Sequence, residues 1–270
     1  AFGIGANSPD SKGILRSAVI RITSGGIMVV IVTTGVLPHR DELVSMLTEA
    51  LPAVRSIIHN INPDDTNLVM GRKSRTVFGS PTVTDRLCEL RFDVSAESFL
   101  QVNPSETLKL YSVAIDALDI KPTDSVIDLY CGIGTISLLA AKRAKNVLGI
   151  EVVPSAIENA KANAIKNGIT NAEFICGAVE DIIPKLLTSE KQDFTSLILD
   201  PPRKGADPKA IEAIIASGIP RIAYISCNPA TLARDCKLLS SAGYALEQIR
   251  PVDMFPETEH VETVVLMTRA

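Results

Sequence analysis

From about Ser95 onward the chain alternates short apolar runs with amphipathic stretches, and that rhythm constrains its folding more than any other feature. The runs "SVIDLY", "NVLGIE", "AEFIC", "SLILD" and "RIAYISC" have the length of strands and are apolar almost throughout, not on alternate residues. Strands of that kind are covered on both faces, as in parallel sheets. Between them lie helical segments: "TISLLAAKRA", "PSAIENAKANAIKNG", a short one at 179–187, "PKAIEAIIASG" and "PATLARDCKLLSSAG". A further amphipathic helix, "NPSETLKLYSVAIDALD", precedes the first strand, with Pro104 near its start. Strand–helix–strand repetition predicts parallel crossovers, hence an α/β fold with a Rossmann-like, doubly wound sheet. The last two runs, "ALEQIRPVDM" and "VETVVLMT", follow each other without a helix, which predicts an antiparallel edge hairpin.

Residues 1–93 follow a different pattern. "SAVIRIT" and "IMVVIVT" flank "SGG", a hairpin signal. A helix is expected from about His39 to Leu51, then strands "VRSIIHNI", "NLVMG", "RTVFG" and "LCELRFDV". Short strands with one helix predict a small α+β domain on an antiparallel sheet, so two domains are expected, 1–93 and 94–270.

Composition excludes several classes. Hydrophobic residues make up 46% and charged residues 21% of the 270, ordinary for a folded globular chain. No apolar run approaches the roughly 18 residues a membrane helix needs. The start, "AFGIGANSPDSKG", lacks a basic residue ahead of an apolar stretch, so no signal peptide is expected. It also lacks an initiating methionine, as in a processed chain or a piece of a longer one. Five cysteines stand singly, without a C-x-x-C pair, against a disulfide framework, a zinc site or an iron–sulfur cluster. A reducing, cytoplasmic setting is expected, with no metal. The net charge of −4 neither requires nor forbids a nucleic-acid partner, since a local basic patch suffices.

"DLYCGIGT" (128–135) falls at the first strand-to-helix turn of the later sheet, where such folds bind ligands. Its glycines permit close backbone approach, but the G-x-G-x-x-G spacing of dinucleotide sites is missing, because Ser137 stands at the third position. A nucleoside without a phosphate cradle fits better. Glu151 closes the next strand, placed to accept hydrogen bonds from two ribose hydroxyls. This arrangement resembles the S-adenosylmethionine site of class I methyltransferases; a glycine turn of another Rossmann-like enzyme is the competing reading. "LDPPRKG" (199–205) ends the fourth strand, and its Asp200 resembles the active-site acid of such enzymes. Amino-group methyltransferases of this class carry an aromatic residue after the two prolines. Arg203 stands there instead, which disfavours nitrogen methylation.

"AYISCNPATLARD" (223–235) delivers a cysteine from a strand onto an Asn-Pro helix start. Taken alone, Cys227 suits a small core residue better than a nucleophile. Carbon methylation gives the second role a purpose. Carbon 5 of uracil is a poor nucleophile until a thiolate adds to carbon 6, and a base must then remove the carbon-5 proton. The helix start is expected to favour the Cys227 thiolate. Glu262, opening the final strand in "HVETVVL", is the candidate base.

The segments "FLQVNPSE", "LYCGIGT", "IEVVPSAIENAKANA", "DPPRKG", "SCNPATLARD" and "DMFPETEHVETVVL" resemble, in order, those of the RNA uracil-5-methyltransferase family across residues 95–270. That resemblance implies a covalent enzyme that makes 5-methyluridine in rRNA or tRNA, with Cys227 as nucleophile and Glu262 as general base. It implies that Gln101, Tyr130, Glu151 and Asp200 bind S-adenosyl-L-methionine, with Gln101 and Asp200 also near the target base. The first section, with "NINPDDTNLVMG", resembles the family's RNA-contacting domain. The family's β-barrel RNA-binding module and four-cysteine cluster are not expected within this stretch. A target uridine must leave its stack to reach such a pocket. RNA is the expected partner, with no membrane or DNA, and the oligomeric state is left open. Two rivals stand beside this reading: methylation at another RNA position without covalent catalysis, and a non-catalytic RNA binder of the same fold.

Other residues carry blander expectations. Cys88, Cys176 and Cys236 are expected in strand or helix cores, and Cys131 beside the glycine turn. His260 suits orientation of Glu262, RNA contact or a structural turn. "RKSR" (72–75) is a better phosphate-binding candidate than "KRAK" (142–145), although solvated charge explains either.

Overall fold

The computed structural model describes residues 5–8, 11–65, 68–187 and 193–269. The chain divides into two compact units, Ala1–Glu97 and Ser98–Ala270.

The first unit contains a two-stranded β1–β2 ladder (Asn7–Ser8, Ser11–Lys12) and a hairpin of β3 (Leu15–Thr23) and β4 (Gly26–Thr33). Gly26 turns this hairpin at φ +132°, a conformation that suits glycine. Helix α1 (Arg40–Ala50) crosses over to β5 (Val54–Ile61), which runs parallel to β4, and β6 (Lys73–Gly79) returns antiparallel. The four-stranded sheet β3-β4-β5-β6 is therefore mixed, not antiparallel as expected, because α1 supplies the length a parallel crossover requires. Met28, Val30, Val32 and Ile58 form one small core, and Val29, Ile31 and Ile57 pack on the opposite side with Leu43, Val44 and Leu47 of α1.

Two expected strands take other forms. Asn67 of "NLVMG" lies outside the described residues, and 68–71 are turn and bend. Side-chain amides occupy the backbone there: Asn62 Nδ2 donates to Leu68 O at 2.8 Å, and Gly71 N donates to Asn60 Oδ1 at 2.7 Å. "LCELRFDV" is a tight hairpin joining β7 (Thr82–Leu87) to β8 (Leu90–Ser95), turned at Cys88 with φ +54°. Cys88 is consequently exposed, not buried in a strand.

In the second unit α2 (Pro104–Ala117) leads into β9 (Ser125–Leu129), α3 (Thr135–Ala141), β10 (Asn146–Glu151), α4 (Pro154–Lys166), β11 (Ala172–Cys176) and α5 (Val179–Leu187). Then follow β12 (Ser196–Leu199), α6 (Pro208–Ser217), β13 (Arg221–Ser226), α7 (Pro229–Ser241), β14 (Ala245–Val252) and β15 (Glu262–Thr268). The seven-stranded sheet has the order β11-β10-β9-β12-β13-β15-β14. Its first five strands are parallel, and β15 inserts antiparallel between β13 and the edge strand β14. The expected edge hairpin is present.

Apolar residues line both faces of this sheet. Ile127, Leu129, Ile150, Leu197, Leu199, Ile222, Tyr224 and Val265 share one core with α5, α6 and α7. The alternate residues, Asp128 among them, turn to the other face, where α2 and α3 pack. One sequence device starts three of these helices. Asn103-Pro104, Asp207-Pro208 and Asn228-Pro229 each set a capping side chain before a proline that needs no N–H partner. The Asn228 and Asp207 side chains accept from Ala230 N and Lys209 N, both at 3.0 Å.

Candidate active site

The carboxyl ends of β9, β10, β12 and β13 bring the candidate residues together. After β9 the backbone takes a left-handed conformation at Tyr130 (φ +64°), Gly132 (φ +55°) and Gly134 (φ +83°). A Cβ on Gly132 would meet no atom within 4 Å, so an open space adjoins the turn. A Cβ on Gly134 would approach Phe174 Cζ to 3.0 Å, so that glycine is required for packing as well. Across the turn the Glu151 carboxylate accepts from Gly132 N at 3.2 Å and from Val153 N at 2.9 Å. Each oxygen keeps a second lone-pair direction for a further donor. Tyr130 is partly buried, and burial pushes its phenol up to about 12. Gln101 is buried on the segment before α2, between the exposed Phe99 and Val102.

Behind the turn lies a cluster of acids. Asp128 is 1% exposed, and its Oδ2 accepts from Ser137 Oγ at 2.5 Å. Asp128 Oδ1 and Glu262 Oε2 are buried without a hydrogen-bond partner among the described residues. Unpaired buried oxygens are costly and rare. Burial, partly offset by the Ser137 hydrogen bonds, raises the Asp128 carboxyl to about 7. Asp200 is held well above the usual carboxylate range, first by burial and then by the charges of Glu262 and Asp128. Burial also raises Glu262, which is 3% exposed. Tyr111 of α2 faces the same cluster; burial and then Asp200 raise its phenol, against a hydrogen bond with Thr135.

This arrangement has a measurable consequence for stability. A carboxyl raised from 3.8 to about 7 on folding binds its proton more tightly in the native state. Its contribution is present below pH 4 and is lost as pH rises toward 7, a loss on the order of 4 kcal/mol. Asp128→Asn keeps the shape and removes the charge. In urea unfolding the variant is expected to gain stability over the natural protein at pH 8 relative to pH 4.5. An unchanged difference between the two pH values would contradict the buried acid's cost.

Cys227 follows β13 directly and precedes the α7 cap. The last β13–β15 pair is Ser226↔Thr263, so one step further the register sets Cys227 opposite Glu262. Cys227 and Glu262 each lie one residue beyond that last pair, and the charge of Glu262 acts on the thiol. The thiol itself differs from expectation. Cys227 is half-buried, and burial, Glu262 and Asp200 raise its pKa against a backbone hydrogen bond and the weaker pull of Arg203. Lost hydration and two nearby acids oppose the thiolate that the helix start favours. Arg203 O accepts from Asn228 Nδ2 at 3.2 Å, linking the loop after Asp200 to the α7 cap.

The structure therefore gathers Cys227, Glu262 and Asp200, with Asp128 and Tyr111 beside them. Tyr130 and Glu151 stand at the glycine turn. Sequence reasoning assigned no role to Tyr111, Thr135 or Ser137. Tyr111 sits in the apolar stripe of α2, where a core role is the ordinary reading, and Ser137 was noted only as a missing glycine. Cys131 packs beside the turn and Cys236 against the core, as expected, whereas Cys176 is exposed beside Val152 O. His260 meets Phe255 edge-on, with ring centroids 6.4 Å apart.

Strand order, a left-handed glycine turn after the first parallel strand and acids after the second and fourth define the class I methyltransferase fold. A crystal structure of Pyrococcus abyssi tRNA (uracil-54, C5)-methyltransferase in complex with S-adenosyl-L-homocysteine superposes with a TM-score of 0.76. It is 29% identical, with 96% of this chain and 61% of that chain covered. An RNA methyltransferase of Clostridium acetobutylicum, itself named uncharacterized, is 45% identical over 269 residues, covering 98% of this chain and 58% of its own. One from Oceanobacillus iheyensis is 45% identical over 271 residues, covering 99% and 59%. The chain thus spans a little over half the length of these curated relatives. The tRNA (Uracil-5-)-methyltransferase family model matches residues 65–270. The chain belongs to that family.

Proposed function

We propose that this chain methylates carbon 5 of a uridine in tRNA or ribosomal RNA, using S-adenosyl-L-methionine, through a transient bond from Cys227 to carbon 6. The observation that carries the reading is the convergence of Cys227, Glu262 and Asp200 on one partly buried site. The chain's own residues fit the cofactor. Glu151 has lone pairs for ribose hydroxyls, Gly132 leaves open space, Tyr130 and Asp200 stand at the same strand ends, and Gln101 is buried on the segment before α2. When bound, S-adenosylmethionine supplies an electrophilic methyl group on a cationic sulfur.

Cys227 Sγ loses its proton to solvent, which reaches the half-buried thiol, and bonds to carbon 6, while the carbon 5–carbon 6 π pair becomes an enolate. Carbon 5 would take the methyl group as its bond to the cofactor's sulfur breaks, which would leave a neutral thioether. Glu262 then takes the carbon-5 proton, the double bond re-forms, and the sulfur–carbon bond breaks to release Cys227. Because its thiol is raised, Cys227 reacts as the proton leaves, not from a standing thiolate. The neighbouring acids suit a site that receives a sulfonium cation. In the first unit, the exposed Arg72, Lys73 and Arg75 are proposed RNA phosphate contacts. No helix among the described residues is long and apolar enough to cross a membrane.

Nucleoside mass spectrometry of tRNA and rRNA transcripts incubated with the protein and cofactor tests the assignment. The expected product is 5-methyluridine. Methyl transfer confined to a ring nitrogen, an amino group or the ribose would overturn it.

A further inference from the structure

We propose that Asp235 is a positioning residue for this reaction, clamping the helix that follows Cys227 to the loop that follows Asp200. The inference rests on the proposed function. Asp235 lies eight residues after Cys227, on α7, and is 1% exposed. Its Oδ2 accepts from Tyr224 Oη at 2.6 Å and from Ala206 N at 3.1 Å. Its Oδ1 accepts from Arg234 Nε at 2.8 Å, and the two side chains form an ion pair at 2.7 Å. Arg234 Nη2 in turn donates to Lys204 O at 3.3 Å and Ala206 O at 3.2 Å.

These bonds converge on Lys204–Gly205–Ala206, the end of the short loop that leaves Asp200. Gly205 has φ +81°, and a Cβ there would stand 2.8 Å from Asp235 Oδ2 and 2.5 Å from Arg234 Nη2. The loop backbone is thus pressed against the carboxylate too closely for any side chain. Pro201 and Pro202 stiffen the run from Asp200 to the clamp, and α7 stiffens the run from Cys227. Asn228 makes a second tie through Arg203 O. Tyr224 anchors the clamp to β13, the strand that delivers Cys227. One buried carboxylate therefore joins the strand and helix bearing the nucleophile to the loop bearing the acid. Losing it frees Asp200 to drift relative to Cys227, and misplacement by about 1 Å costs up to ~100-fold in rate.

The test compares Asp235→Asn and Tyr224→Phe with the natural protein. Asn presents donors where the carboxylate accepts, and Phe removes the hydroxyl that donates to Asp235 and accepts from Ala206 N, leaving the other bonds of the carboxylate in place. Steady-state kinetics, calorimetric titration with S-adenosylmethionine and the rate of adduct formation on 5-fluorouridine RNA are read on the folded fraction. We expect kcat and adduct rate to fall together by ~10- to 100-fold in Asp235→Asn and by less in Tyr224→Phe. KM for RNA should stay within about twofold, cofactor affinity should fall by less than kcat because Asp200 also borders the cofactor, and the double variant should lose no more than Asp235→Asn. Unchanged kcat per folded molecule in both variants, or a loss confined to cofactor affinity, would overturn the clamp. A natural protein that forms neither adduct nor 5-methyluridine would instead overturn the proposed function, and this inference with it.

Discussion

Cys227→Ala is expected to abolish turnover, lowering the rate by at least about 10⁴-fold. The reason is chemical, not structural. Without sulfur at carbon 6, carbon 5 never gains the electron density to attack a methyl group, and nothing else near Cys227 substitutes for it. Asp200, Glu262 and Arg203 are the charged groups that act on the thiol, two carboxylates with raised pKa values and a guanidinium, none of which can add to carbon 6 in its place. The side chain is small and half-buried, so stability should change by no more than about 1 kcal/mol. Cofactor binding should persist, since Glu151 and the glycine turn lie on other strands. Radiolabelled methyl incorporation, with calorimetry for the cofactor, separates these effects. Turnover near the natural rate in Cys227→Ala would show that the methyl group goes to a position needing no covalent help.

Glu262→Gln is expected to leave the first half of the reaction intact and stall the second. The variant should form the sulfur–carbon bond and transfer the methyl group. It cannot then take the carbon-5 proton, so a methylated protein–RNA adduct should persist on denaturing gels while turnover falls about 10²- to 10⁴-fold. The fold should tolerate the change, because the amide replaces a buried carboxylate whose charged form burial already disfavours. The pH profile offers a second reading. Glu262 must be ionised to act as base, and its pKa lies above the ordinary glutamate value, so turnover should fall as pH drops through that raised value. The Gln variant should lose this acid limb. Rapid turnover in Glu262→Gln, with no adduct and the limb intact, would assign the base elsewhere.

Much of the architecture was legible because local chemistry and global fold agree. The apolar runs of β9, β10, β12 and β13 announce strands buried on both faces, and the three capped prolines announce helix starts. The missing helix between β14 and β15 was visible too. What composition and spacing do not encode is which strand β15 joins. Its insertion beside β13 sets Glu262 opposite Cys227, and only the motif resemblance linked the two in advance. The first unit was harder, for a local reason. Leu68 and Val69 look like strand residues, yet they are 69% and 54% exposed because Asn60 and Asn62 take the nearby backbone bonds. The thiol shows a different limit. A helix start beside Cys227 is written in "CNP", whereas the surrounding acids that raise it come from β12 and β15. Tyr111 and Asp235 likewise look like packing residues until tertiary structure supplies their partners.

The covalent step can be observed directly. Fluorine at carbon 5 leaves no proton for Glu262 to remove, so RNA carrying 5-fluorouridine at the target should trap the protein after methyl transfer. Digestion with trypsin and mass spectrometry then locate the bond, and the account predicts one methylated fluorouridine on the peptide from Ile222 to Arg234, attached at Cys227. Failure to trap under conditions where ordinary RNA is methylated, or attachment at any other residue, would contradict it.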